Sequence, residues 1–239
     1  MRISCWQDPP QSLFLAAKQL HLWRVALQVS AATQRRLAGF LSADEQARAE
    51  RLRHRAAEFV VARGRLRQIL AGYLKIRPAA VAFRYQPAGK PELHGDFAAV
   101  LNFNLAHSGG WALLAVTAGT AVGVDLERID PHIDCRAIAA GFFDADERSL
   151  CAGFSKARQR RGFYRLWTGK EAALKRSGHG FAAEPAAPPL PSAGRNRFFP
   201  IGKNYLGALC ADTEIDCIQR YQLSESGASL SPQPKERLC

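Results

Sequence analysis

The chain has 239 residues, 47 % of them hydrophobic and 23 % charged, which is enough to bury a sizeable core as one large or two modest domains. Its formal charge of +12 favours an acidic partner, whether nucleic acid, an anionic membrane surface, an acidic protein or a polyphosphate ligand, and cannot by itself choose among them. Six scattered cysteines form no C-x-x-C pair, and no histidine stands beside them at zinc-ligand spacing, so they fit a reducing compartment better than a disulfide framework.

The opening residues carry Asp8, Pro9 and Pro10 where a signal peptide needs an apolar run, and no uncharged apolar run is long enough to span a bilayer. The expectation is a soluble, cytoplasmic protein. Residues 20–29 alternate loosely and predict a first strand. Ser42, with Glu45 three positions on, has the form of a capping box. The following stretch to Leu74 is rich in Ala, Arg, Glu and Leu and predicts one long or two consecutive helices. Arg48, Arg51, Arg53, Arg55, Arg63, Arg65 and Arg67 stud it, most of them expected on a solvated basic face, with one or two free to hold a phosphate. Pro78 should end the helical region. A strand at 81–85 and a turn at Gly89-Lys90-Pro91 follow.

Residues 100–116 predict two strands around the turn His107-Ser108-Gly109-Gly110. The next strand holds Gly123-Val124-Asp125-Leu126-Glu127, whose period of two sends Asp125 and Glu127 to one face and Val124 and Leu126 to the other. Adjacent carboxylates repel unless a cation or a proton neutralises them, and hard oxygen ligands of this kind suit Mg²⁺. Taken alone, the pair fits a solvated strand face better than a metal site. Residues 138–150 predict a helix, and 158–176 a strongly amphipathic one with Phe163, Leu166, Trp167 and Leu174 on its apolar stripe and Gly178 as its stop. Glu171 and Lys175 lie one turn apart on that helix, as an ordinary surface ion pair or as a third carboxylate with a phosphate-binding lysine. The Pro- and Ala-rich run 184–194 predicts a loop, 205–210 and 217–223 a terminal pair of strands, and 224–239 a disordered tail.

Four motifs in order, Gly89-Lys90-Pro91, Phe103-Asn104-Leu105-Ala106-His107-Ser108, Gly123-Val124-Asp125-Leu126-Glu127 and Trp167-Thr168-x-Lys170-Glu171-Ala172-x-x-Lys175, resemble the surfactin-type 4′-phosphopantetheinyl transferases, in the subgroup spelled W-x-x-K-E-A. The resemblance implies an α+β pseudo-dimer of two similar α/β halves, 1–118 and 119–223, with coenzyme A and Mg²⁺ in the cleft between them. It implies transfer of the 4′-phosphopantetheine arm of coenzyme A to a serine of an apo acyl or peptidyl carrier protein, as a monomer. Asp125, Glu127 and Glu171 would hold the metal, with Glu171 also helping to deprotonate the serine. Lys175 would contact the phosphates, His107 with Ser108 the pyrophosphate, and Lys90 and Arg63 the adenosine 3′-phosphate, Arg48 being a looser match. Ala106 departs from the usual S-H-S spelling, and the missing hydroxyl is expected to weaken coenzyme A binding by about 1 kcal/mol. Two other readings stay open: a member that binds coenzyme A without turnover, and a non-enzymatic nucleic-acid-binding protein, against which stands the lack of a nucleic-acid motif in the Arg-rich region.

Overall fold

The structure, a computed structural model, describes residues 2–178 and 196–225. It is an α+β fold of six α-helices, three short 3-10 helices and ten strands among these residues. The expected loop at 184–194 lies outside them, as does the expected tail beyond Glu225.

Five strands form the larger sheet in the order β1-β10-β2-β6-β5: β1 (Arg2–Gln7), β2 (Gln19–Ala26), β5 (Asn102–Ser108), β6 (Trp111–Thr117) and β10 (Cys217–Gln222). Three more, β7 (Val122–Arg128), β8 (Asn196–Pro200) and β9 (Tyr205–Ala211), form a second sheet in the order β7-β9-β8. A short hairpin joins β3 (Phe83–Tyr85) to β4 (Pro91–Leu93) through the Gly89-Lys90-Pro91 turn. The boundary expected between 118 and 119 falls in the β6–β7 connection, yet β10 from beyond it runs parallel between β1 and β2. The two last strands are therefore not a pair: β9 completes the small sheet and β10 the large one. β1 and the helix α1 (Ala31–Ala38) have no counterpart in the expected elements.

Alternation along β2, β6 and β10 gives the large sheet two apolar faces. One packs Trp23, Val25, Leu114 and Val116 against Leu66, Ile69 and Leu70 of α3 (Ala56–Leu74). The other packs Leu20, Leu22, Leu113 and Ile218 against Val122, Val124, Leu126 and Leu209 of the small sheet. The predicted split of β7 holds: Val124 and Leu126 face this second core, and Asp125 and Gly123 face α6 (Lys156–Ser177). A Cβ at Gly123 would stand 2.0 Å from the Ala172 carbonyl oxygen and 2.4 Å from the Arg176 nitrogen. Only glycine lets the helix lie this close to the strand, and that approach brings Glu171 and Lys175 over Asp125.

The capping box at Ser42 forms as expected and starts α2 (Ala43–Arg51): the Glu45 amide donates to Ser42 Oγ, and the Ser42 amide donates to Glu45. Residues 138–150 are instead split between α4 (Cys135–Phe142) and α5 (Ala145–Ala152), because Asp144 opens a second capping box with Glu147. The solvated-face reading of the arginines needs correction on α3. Arg63, Arg65 and Arg67 are buried, since α3 is covered on both sides by the large sheet and by α1 and α2. Arg67 is held by Glu45 at 2.7 Å with both side chains almost fully enclosed.

Candidate active site

A cleft of about 330 Å³ opens where α3, the Gly89–Pro91 turn, β5 and α6 meet. Arg48, Phe59, Arg63, Lys90 and His107 line one side, and Glu171, Leu174 and Lys175 the other. Five of the sequence-predicted residues thus share one cavity, and the loosely matched Arg48 joins them.

Arg63 is the most telling of these. It is 8 % exposed, its guanidinium lies 5.7 Å from the rings of both Phe59 and Tyr85, and its Nη1 is buried without a hydrogen-bond partner. Desolvation comes first in lowering its pKa, with Arg48 and Arg67 adding to it against Tyr85 and Glu45. A buried cation lacking an anion is costly, and a phosphate would satisfy it. Lys90 reaches the same cleft, and its ammonium donates to the carbonyl oxygens of Arg176 at 3.0 Å and Val122 at 3.4 Å. It therefore also staples its turn to the C-terminal end of α6. Desolvation lowers its pKa as well, despite Glu92 and Asp212. For His107, partial desolvation leads a downward shift that Lys175, Arg55 and Arg63 deepen and Glu58 opposes. Its imidazole is neutral near pH 7 and offers one N–H.

β5 and β7 are edge strands of the two sheets, and Asn104 Oδ1 accepts a hydrogen bond from the Val124 amide at 2.8 Å across the gap. Ser108 does the same at the far end, differently from expectation. It is not among the cleft-lining residues; its Oγ donates to Glu127 Oε2 at 3.1 Å and accepts from the Arg128 amide at 3.1 Å. Ser108 fixes Glu127, and Trp167 Nε1 donates to the other oxygen, Oε1, at 3.2 Å. The Ala106 expectation also needs correction. Strand alternation turns Ala106 away from His107 into the apolar cluster with Leu22 and Leu113, 4 % exposed, so a serine there would bury its hydroxyl between the sheets rather than offer it to the cleft.

Trp167, Glu171 and Lys175 recur every four residues and so follow one face of α6. Lys175 Nζ lies 2.6 Å from Asp125 Oδ1 and 3.9 Å from Glu171 Oε2. The i,i+4 pair is therefore present, but Asp125 is the lysine's nearer partner. Asp125 is 3 % exposed, and its Oδ2 is buried with no partner. The three carboxylates feel one another. Desolvation first, and Asp125 second, push Glu127 up. Desolvation leads again at Glu171; Lys175 opposes it, Asp125 and Glu127 add to it, and the pKa rises to about 7. Burial works against the Lys175 ammonium, yet Asp125, Glu171 and Glu127 together hold its pKa above the usual value. Among the described residues no three His, Cys, Asp or Glu side chains stand in a geometry that could hold a metal ion unaided. The donors still fit a hard divalent cation: three carboxylates in mutual repulsion, one buried oxygen unpartnered, and a lysine supplying the positive charge between two of them.

Lys170, which had no assigned role, points away from the cleft. Its ammonium lies 2.6 Å from Glu147 Oε2, both side chains being at least 93 % enclosed, and ties α5 to α6. Phe143, Phe163 and Trp167 stack beside this pair, with Phe163 and Trp167 ring centroids 6.1 Å apart. The sequence signal was the motif spelling itself, in which Lys170 and Glu171, as helix neighbours, project about 100° apart.

A family model described as the 4′-phosphopantetheinyl transferase superfamily matches residues 121–224, which span β7, α6 and the small sheet. The 4′-phosphopantetheinyl transferase HetI of Nostoc sp. is 41 % identical over 181 residues, covering 74 % of this chain and 76 % of that one. This chain belongs to the 4′-phosphopantetheinyl transferase superfamily. A 4′-phosphopantetheinyl transferase of Bacillus subtilis is 30 % identical over 157 residues, 64 % of this chain and 67 % of that one. One of Bacillus pumilus, psf-1, is 34 % identical over 145 residues and covers 60 % of each. No helix among the described residues is long and apolar enough to cross a membrane.

Proposed function

We propose that the cleft binds coenzyme A and moves its 4′-phosphopantetheine arm onto a serine hydroxyl of an apo acyl or peptidyl carrier protein, releasing adenosine 3′,5′-bisphosphate. The observation that carries this reading is the cleft's lining: Arg63, Lys90 and His107 share it with Glu171 and Lys175, and Lys175 reaches from it to the buried Asp125. The chain is a cytoplasmic monomer of the W-x-x-K-E-A subgroup with holo-[acyl-carrier-protein] synthase activity. Its carriers, in fatty-acid, polyketide or nonribosomal peptide synthesis, are acidic around the serine, and the +12 charge speeds their approach. Residues 1–118 supply the 3′-phosphate side of the cleft and 119–223 the acids, as two similar halves.

In this reaction the serine oxygen attacks the phosphorus bearing the pantetheine arm, and the phosphoanhydride bond to the adenosine phosphate breaks. The leaving phosphate keeps the bonding electrons. Little covalent help is needed; charge neutralisation and alignment dominate. Arg63 and Lys90 hold the adenosine 3′-phosphate, with Arg48 beside them. The neutral His107 donates its N–H to the pyrophosphate, and Lys175 leaves Asp125 to meet the phosphate oxygens. Glu171, with its pKa near 7, takes the serine proton. Asp125, Glu127 and Glu171 would hold Mg²⁺, which when bound supplies charge neutralisation at the pyrophosphate. Ser108 and Trp167 keep Glu127 aimed for that purpose.

Calorimetric titration with coenzyme A and with dephospho-coenzyme A, which lacks the 3′-phosphate, tests the binding half. The intact chain should prefer coenzyme A by about 10-fold or more, and Arg63→Gln should erase most of that preference. Equal affinity for both ligands in the intact chain would remove Arg63 from this role.

The acids add a pH-dependent expectation. A carboxyl whose pKa is raised on folding keeps a proton that the unfolded chain has lost, so Glu171 makes the metal-free protein less stable as pH rises from its ordinary value of 4.5 to about 7. Mg²⁺ competes with that proton. The rise in melting temperature on adding millimolar Mg²⁺ should therefore be small at pH 6 and larger at pH 8, and should shrink in Glu171→Gln. A shift that is the same at both pH values would count against Glu171 as a ligand.

A further inference from the structure

On the face of the large sheet that carries Ala106 and Ser108, the strand ends past the small sheet bear a row of guanidinium and indole groups. Arg24 of β2 lies between two tryptophans, 4.8 Å from the ring of Trp6 and 5.1 Å from that of Trp111. Arg220 of β10 stands 5.6 Å from the other side of the row, again at Trp6, and 5.3 Å from Phe199. The Arg24 guanidinium donates to Gln222, and both Arg24 Nε and Arg220 Nε are buried without a partner. Among the described residues neither arginine has a carboxylate in ion-pair range, and desolvation lowers the pKa of each. A stack that served packing alone would be built more cheaply from apolar side chains, because two half-buried cations without counter-charge oppose folding.

The row is also continuous with the reacting groups. Trp111 pairs across the strands with Ser108 on one side and with Ala26 of β2 on the other, and Ser108 holds Glu127. The row therefore runs through Trp111 and Ser108 to Glu127, one of the three acids of the candidate site.

We propose that the Trp6–Arg24–Trp111–Arg220 row is the docking surface for the acidic carrier protein, whose carboxylates meet the partly exposed side of the two arginines while its serine reaches Glu127 and Glu171. This rests on the transferase reading above. Carboxylates meet Arg in a fork geometry, and the flanking indoles keep the planar groups flat and ready. A nucleic acid would be drawn to the same charges, and the test separates the two.

Initial rates are measured with an apo acyl carrier protein for the intact chain, Arg24→Gln/Arg220→Gln and Arg24→Lys/Arg220→Lys, with thermal melting as the control for folding. The Gln pair should raise the KM for the carrier about 10-fold, with kcat and the KM for coenzyme A within about twofold, and the Lys pair should fall between. Unchanged carrier KM in a folded Gln pair overturns the proposal, and if that pair also loses the intact chain's binding to single-stranded DNA, the row is a nucleic-acid surface. Should the Gln pair unfold, hydrogen exchange of the intact chain decides: slowed exchange at β2 and β10 on adding the carrier supports the docking surface, and none there overturns it. Absence of any transfer by the intact chain would instead remove the underlying reading, and this surface with it.

Discussion

Asp125→Ala is expected to lower turnover by about 10³-fold or more while the chain stays folded. Asp125 is the only one of the three acids that both contacts Lys175 at 2.6 Å and presents a buried oxygen without a partner. Removing it takes away a ligand position and the group that holds the phosphate-binding lysine in place. The cost to the fold is modest, because the lysine side chain is 33 % exposed and can turn to Glu171 or to water. Circular dichroism and melting would follow the fold, and carrier modification the turnover. A folded variant with turnover within tenfold of the intact chain would remove Asp125 from the mechanism. A nucleic-acid-binding protein would be indifferent to the change or bind slightly better.

The second large effect concerns stability. Lys170→Ala leaves Glu147 charged and buried with no counter-ion, and should cost about 3–5 kcal/mol. Glu147 cannot escape to solvent, because its other duty is to close the capping box at the start of α5 by accepting from the Asp144 amide. The double change Lys170→Met/Glu147→Gln removes both charges and should recover most of the loss. Urea denaturation of the three proteins measures this directly. A single variant within 1 kcal/mol of the intact chain, or a double variant no better than the single, would refute the clasp. Since Lys170 and Glu171 are neighbours about 100° apart on the helix, it is anchored by one and works through the other.

Much of the site was legible because its residues follow from local periodicity. The alternation of β7 placed Asp125 apart from Val124 and Leu126, and the spacing of four put Glu171 and Lys175 on one face of α6. What the letters could not show was the third dimension. The burial of Arg63, Arg65 and Arg67 depends on α1 and α2 closing over α3, and a helix rich in arginine looks solvated until its covers are known. β10 completes the large sheet by a parallel pairing some 200 residues distant from its neighbours, and no pattern within β10 names its partners. The roles of Ser108 and Ala106 turned on which face of β5 each occupies. Alternation from His107 carried that information, although a motif read as a unit hides it. Gly123 carries its reason in plain view once the helix is present: a strand glycine beside two acids marks where another backbone lies close.

The most direct measurement is the mass of an apo acyl carrier protein after incubation with this protein, coenzyme A and Mg²⁺. The account predicts a gain of roughly 340 Da on the carrier, the mass of one phosphopantetheine arm, abolished by EDTA and by Glu127→Ala. No gain on fatty-acid, polyketide and peptidyl carriers alike, with coenzyme A still bound, would contradict it and mark a chain that holds the ligand without transferring it.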